Sequence, residues 1–130
     1  MSESRKAHAE EWLIKGDHDI EMAQLLYNER GYTETIAFLI QQAVEKYVKG
    51  FLVFRGVKPK RTHDLERLLD DVIEIDKSFE KFIGMGTKIT KYYIDSRYPI
   101  GFTIEYSREE IKQSLDEAYE IIAKIKQAIK

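Results

Sequence analysis

The chain has 130 residues, 43% hydrophobic and 34% charged, with a net charge of −2. That length suits one domain over residues 1–130 without covalent staples, since a chain of this size buries roughly two-thirds of the surface it exposes when unfolded. It has no cysteine, which excludes a disulfide framework and thiolate metal ligands, and no apolar run reaches the about 18 residues of a membrane span. Met1 to Lys6 leads into mixed charge rather than an apolar signal core, so a cytoplasmic protein is expected.

Apolar residues recur at helical spacing almost throughout. Trp12, Leu13, Ile20, Ala23, Leu26 and Tyr27 form a first stripe, closed by Asn28 and Gly31. Gly16 inside it costs about 1 kcal/mol against alanine and marks a close approach of another helix. Thr33 or Thr35 is placed to cap a second helix. Its stripe of Ile36, Ile40, Ala43, Val44, Tyr47, Val48, Phe51 and Leu52 is wide enough to have neighbours on several sides. Gly56 and Pro59 end it. Thr62 is the predicted cap of a short third helix carrying Leu65, Leu68, Leu69, Val72 and Ile73. A fourth helix uses Phe79, Phe82, Ile83, Ile89, Tyr92 and Tyr93, weakened by Gly84 and Gly86.

Arg97-Tyr98-Pro99 must leave that helix, because proline drives the preceding residue into an extended conformation. Phe102 to Tyr106 is a weak strand candidate and stands alone as one. Ser107 and Glu110 make a capping box. The last helix repeats Ile111, Leu115, Ala118, Ile122, Ile125 and Ile129, a seam for one partner helix in the same chain or in a dimer mate. The expected fold is all-α: an antiparallel up-down bundle of four long helices plus a short one.

Charge is uneven along the chain. Lys46 to Arg61 holds six basic residues and no acid, and Asp64 to Glu80 holds seven acids against Arg67 and Lys77. Such a distribution steers an anion to one edge, or merely describes two solvated faces that neutralise each other.

Four constellations stand out. Gln41, Gln42, Glu45, Lys46 and Lys49 place amides, a carboxylate and ammonium groups one helical turn apart, either as a ligand-binding ridge or as a polar ridge between helices. His63-Asp64 begins the short helix, either as a phosphate or proton-transfer site or as a cap. Arg97, amid Tyr92, Tyr93 and Tyr98, offers planar recognition of phosphate beside stacking surfaces. Its alternative is to cap the fourth helix or pair with Asp95 or Glu45. His18 lies between Asp17 and Asp19, but adjacent helical residues point apart, and His8 and His63 complete no metal spacing. No metal and no cofactor is expected; there is no Walker loop, dinucleotide fingerprint or Gly-x-Ser-x-Gly elbow.

Four pieces in order resemble the HEPN family (higher eukaryotes and prokaryotes nucleotide-binding). They are Trp12 with Asp19 and Ala23, then Gln41-Gln42-Ala43-Val44-Glu45-Lys46, Thr62-His63-Asp64-Leu65 and Arg97-Tyr98-Pro99. The resemblance implies a helical bundle and a homodimer with the arginine loops of two subunits near a shared cleft. Many members are ribonucleases with an Arg-x4-6-His signature; others are non-catalytic partners of minimal nucleotidyltransferases. Arg97 matches the arginine, but positions 102, 103 and 104 are Phe, Thr and Ile, and no histidine follows His63. Some toxin relatives carry a modified tyrosine two residues beyond that histidine, the offset of Tyr106 from Ile104.

The expectation is therefore a dimeric module that binds a nucleotide or nucleotide-bearing substrate beside a minimal nucleotidyltransferase. Arg97, Lys46 and Lys49 would meet phosphate; Gln41, Gln42 and Glu45 would meet base or ribose; Tyr98 would stack and His63 would contact phosphate. The alternative is a metal-independent endoribonuclease acting on RNA through Arg97, Glu45 and His63. Histidine suits that chemistry as an acid or base near neutral pH, whereas arginine stays protonated.

Overall fold

Among the residues described by the computed structural model, 2–97 and 104–130, the chain forms five α-helices and one 3-10 turn. They are α1 (Ser2–Asn28), α2 (Thr33–Phe54), α3 (Leu65–Ile75), the 3-10 turn (Lys77–Phe82), α4 (Ile83–Asp95) and α5 (Arg108–Ile129). No described residue is in a strand; Ile104, Glu105 and Tyr106 are irregular. No described helix is long and apolar enough to cross a membrane.

The wide apolar stripe makes α2 the centre, packed against α1, α3, α4 and α5. Ile36, Ile40, Val44, Tyr47, Val48, Phe51 and Leu52 are all buried in one continuous core. Gly16 lets α1 lie directly on α2, since a Cβ there would sit 2.6 Å from Tyr47 Cδ2. Tyr47 donates its hydroxyl to Asp17 across the same contact. The seam of α5 is buried along its length and packs on α2 within this chain.

Both long N-terminal helices close with paired backbone bonds around a left-handed residue, which satisfies the last carbonyls. After α2, Val57 N–H donates to Leu52 O at 2.9 Å and Gly56 N–H to Val53 O at 3.0 Å, with Gly56 at φ +80°. After α1, Gly31 N–H donates to Leu26 O at 2.7 Å and Arg30 N–H to Tyr27 O at 3.2 Å. Here the left-handed residue is Arg30, at φ +59°, and not the neighbouring glycine.

Two helix starts differ from expectation. Tyr32 precedes α2 with no side-chain cap; Thr33 lies inside the helix, and its Oγ1 accepts from Tyr106 N–H at 3.1 Å. Asp64, not Thr62, caps α3, its Oδ1 accepting from Glu66 N–H at 2.9 Å. Thr62 Oγ1 accepts from Asp64 N–H at 3.1 Å and so steadies the cap from upstream. The fourth helical segment is split. Asp76 accepts from Ser78 Oγ–H at 2.6 Å and Ser78 N–H at 2.9 Å, starting the 3-10 turn. Those two bonds, the hydroxyl's first, hold its carboxyl below the usual range. Phe79 and Phe82 then fall on one face of the turn, and Phe79 packs 5.2 Å from Phe51 between ring centroids. At α5, Ser107 Oγ accepts from Glu110 N–H at 3.1 Å, and the Glu110 carboxylate accepts from Tyr92 Oη at 2.8 Å.

Candidate functional site

Gln41, Glu45 and Lys49 stand one above another on α2, four residues apart, and all three are buried. Glu45 is their centre. Its Oε1 accepts from Gln41 Nε2 and from His63 Nδ1, each at 2.8 Å, and its Oε2 accepts from Lys49 Nζ at 2.9 Å. Gln41 Nε2 also reaches the His63 carbonyl at 3.4 Å, and Gln42 Nε2 donates to Gln41 Oε1 at 2.6 Å. Among the described residues every buried side-chain polar atom has a partner. The ridge expected to face a ligand through Gln41, Gln42 and Glu45 is thus satisfied from within. Buried polar groups demand partners, and this ridge supplies its own while holding the loop that carries His63.

His63 leaves that loop just before the Asp64 cap. A carboxylate only accepts, so the bond to Glu45 places the proton on Nδ1 and leaves Nε2 for an outside partner. The His63 side chain is 46% exposed, against 6% for Glu45. Its ring stacks on Tyr93 at 4.1 Å between centroids and 23° between planes. The Arg97 guanidinium lies 5.3 Å from the centroid of the same tyrosine ring. Tyr93 lies in the last turn of α4, and Arg97 follows four positions on, in the turn just past the helix. Lys49, Glu45, His63, Tyr93 and Arg97 therefore form one continuous line across three segments of the fold.

The line grades from inside to outside. The Glu45–Lys49 pair neutralises itself in the interior, which limits the cost of burying charge. Arg97, His63 and Tyr93 form the outer end, offering a planar cation, an imidazole and an aromatic face. That combination suits an anionic oxygen beside a flat ring, the chemistry of a phosphate ester of a nucleoside.

Other expected site residues lie elsewhere. Lys46 is one position past Glu45, turned about 100° around the helix, and pairs with Asp19 of α1 at 2.5 Å. Lys60 pairs with Asp71 at 3.4 Å, and Arg55 lies over the Phe51 ring at 5.9 Å. The basic segment is therefore not one surface: Lys49 belongs to the Arg97 line, and these three do not. Asp95, considered as a partner of Arg97, accepts from the Tyr106 hydroxyl. Tyr106 also packs edge-on to Tyr92 at 4.8 Å, and burial pushes its phenol well above the usual value. Tyr98, with Phe102 and Thr103, lies outside the described residues. His18 is exposed while its two flanking aspartates turn to Tyr47 and Lys46, and no three metal-ligating side chains converge among the described residues.

Tyr93, expected beside Arg97 as one of three stacking surfaces, is the one that joins Arg97 to His63. Its spacing of four from Arg97 was the available signal; its stacking on His63, thirty positions earlier, was not.

Residues 9–128 match the HEPN domain family. TT1696 from Thermus thermophilus is 30% identical over 92% of this chain and 96% of its own, with a TM-score of 0.79. ST0689, an archaeal HEPN homologue, is 29% identical over 94% of this chain and 98% of its own, with a TM-score of 0.75. No curated protein matches. The helical bundle, the ordered motifs and the match across nearly all of the described elements agree: the chain belongs to the HEPN family.

Proposed function

We propose that the protein is a nucleotide-binding module, acting as a homodimer that presents a nucleotide or nucleotide-bearing substrate to a separate minimal nucleotidyltransferase. The observation that carries this reading is the outer end of the line, Arg97 and His63 on either side of Tyr93 in sequence and both against its ring. Arg97 takes phosphate oxygens, His63 Nε2 adds a polar contact, and the internally satisfied ridge fixes the imidazole before ligand arrives. Calorimetric titration with ATP and the other nucleoside triphosphates tests it, beside Arg97→Ala. Arg97 is exposed, so the variant is expected to stay within about 0.5 kcal/mol of the parent in stability. Saturable binding that disappears in the folded variant supports the module; absence of binding to every nucleotide refutes it.

A second reading has its own observation, the His63–Glu45 hydrogen bond beside Arg97. An imidazole held by a carboxylate through Nδ1 keeps its other nitrogen, Nε2, turned away from that bond, where a general acid or base must stand. In this reading the protein is a metal-independent endoribonuclease in which His63 replaces the histidine missing after Arg97. It requires cleavage of RNA in the presence of chelator, abolished by His63→Ala and by Arg97→Ala.

A further inference from the structure

Gly86, Thr90 and Tyr93 follow one another at spacings of four and three, so they share one face of α4, and α3 packs on that helix. Gly86 lets the two helices touch: a Cβ there would stand 2.6 Å from Leu69 Cδ1 and 3.8 Å from Leu65 Cβ. Tyr93 meets the His63 ring just before α3 begins. Thr90 sits between them, and its hydroxyl is used twice. Oγ1 donates to Gly86 O at 2.8 Å, within α4, and accepts from Leu65 N–H at 3.0 Å, across to α3. The second bond meets a need of α3, since the first N–H groups of a helix have no partner inside it. Asp64 takes Glu66 N–H and Thr90 takes Leu65 N–H, so the start of α3 is capped from two segments of the chain.

The His63 imidazole is held by Glu45 of α2, whereas Tyr93 and Arg97 belong to α4 and the turn after it. The stack of His63 on Tyr93 therefore depends on how far α4 is advanced along the loop that carries His63. Apolar contacts such as Gly86 on Leu69 tolerate a slide between helices; a hydrogen bond is directional and does not. Among the described residues, Thr90 to Leu65 is the one hydrogen bond joining α4 to α3 or to the loop before it. Leu65 is two positions after His63, and Thr90 is three before Tyr93, so this bond acts right beside the stack. Beyond Tyr93 the path is fixed onward: Ser96 Oγ donates to Tyr93 O at 2.6 Å, and Arg97 N–H donates to Ile94 O at 3.1 Å.

Resting on the nucleotide-binding reading of this site, we infer that Thr90 is its positioning residue. Its hydroxyl sets the register of α4 against the His63 loop, and so places Arg97 and His63 to meet the same phosphate-bearing ligand. Valine has the shape of threonine but neither donates nor accepts, whereas serine keeps both roles. Thr87 is the control on the same helix. Its hydroxyl donates to Ile83 O at 3.2 Å and makes no bond to α3 among the described residues.

The experiment records the ring-proton NMR resonances of His63, assigned with His63→Gln, and titrates the same full-length proteins with ATP by calorimetry. A ring stacked on tyrosine is shifted by that tyrosine's ring current, so Tyr93→Leu defines the unstacked position. Thr90→Val is expected to move the His63 resonances toward that position and to weaken ATP by about fivefold, the worth of one ordinary hydrogen bond. Thr90→Ser and Thr87→Val should match the parent in both measurements. Thr90→Ala repeats the test with no second methyl against Leu65. Folded Thr90→Val and Thr90→Ala proteins with the parent's His63 resonances and ATP affinity would overturn the positioning role and leave the nucleotide module standing, as would an equal effect of Thr87→Val. A parent that binds no ATP yet shows the Thr90-dependent shift would sink the module and keep the positioning role.

Discussion

Glu45 has two oxygens and three donors, and that arithmetic governs its neighbours. Removing the carboxylate leaves Lys49, with a side chain only 10% exposed, charged and unpartnered in the interior. Glu45→Ala is therefore expected to cost about 3–5 kcal/mol in urea unfolding, the range for breaking a buried pair. Glu45→Gln should cost less, because the amide oxygen still accepts a hydrogen bond. The residue types of this cluster were legible in the sequence, since positions 41, 45 and 49 share a helical face by spacing alone. Their burial was not: spacing defines a face but not what covers it, and the cover here is the His63 loop. The divergence of Lys46 from Lys49 turned on the same point. Each has a carboxylate partner, but only Asp19 lies on α1, and nothing local tells which side of α2 that helix takes.

Among the elements, α1 ends on a compromise. Arg30 holds a left-handed backbone that costs an L-residue roughly 1–2 kcal/mol and glycine almost nothing. Arg30→Gly is expected to raise stability by about 1 kcal/mol and the midpoint by a few degrees in thermal unfolding. The sequence placed the stop correctly at Asn28 to Gly31 but could not say which residue turns left, because glycine was the obvious choice. The division of the fourth segment was hidden for another reason. Phe79 and Phe82 are three apart, a spacing that serves a 3-10 turn and an α-helix equally. Asp76 was the overlooked sign, an acceptor two residues ahead of a serine hydroxyl and amide. The cap of α3 was misplaced at Thr62 because threonine and aspartate both qualify, and the chain uses them in series.

For the molecule as a whole, Tyr47, Tyr92 and Tyr106 tie separate helices and loops together by donating to Asp17, Glu110 and Asp95. Burial first, and the neighbouring carboxylates after it, raise all three phenols above their usual value. A value raised by folding means that the stabilisation is complete below the unfolded tyrosine value of about 10 and fades as pH climbs through the folded ones. In alkaline titration past about pH 10, the tyrosinate absorbance of these three residues, isolated from that of the chain's other five tyrosines by comparison with the Tyr47→Phe, Tyr92→Phe and Tyr106→Phe variants, should therefore rise together with helix loss. The bundle itself was readable from the apolar stripes, since each helix carries one and α2 carries the widest. That width also sets how the molecule breathes. Because α2 is walled by four other helices, its amides reach solvent only when the whole bundle opens, so in deuterium exchange they should be the last to trade their hydrogens. The amides of the 3-10 turn and α3, covered from fewer sides, should exchange through smaller openings and report a lower free energy.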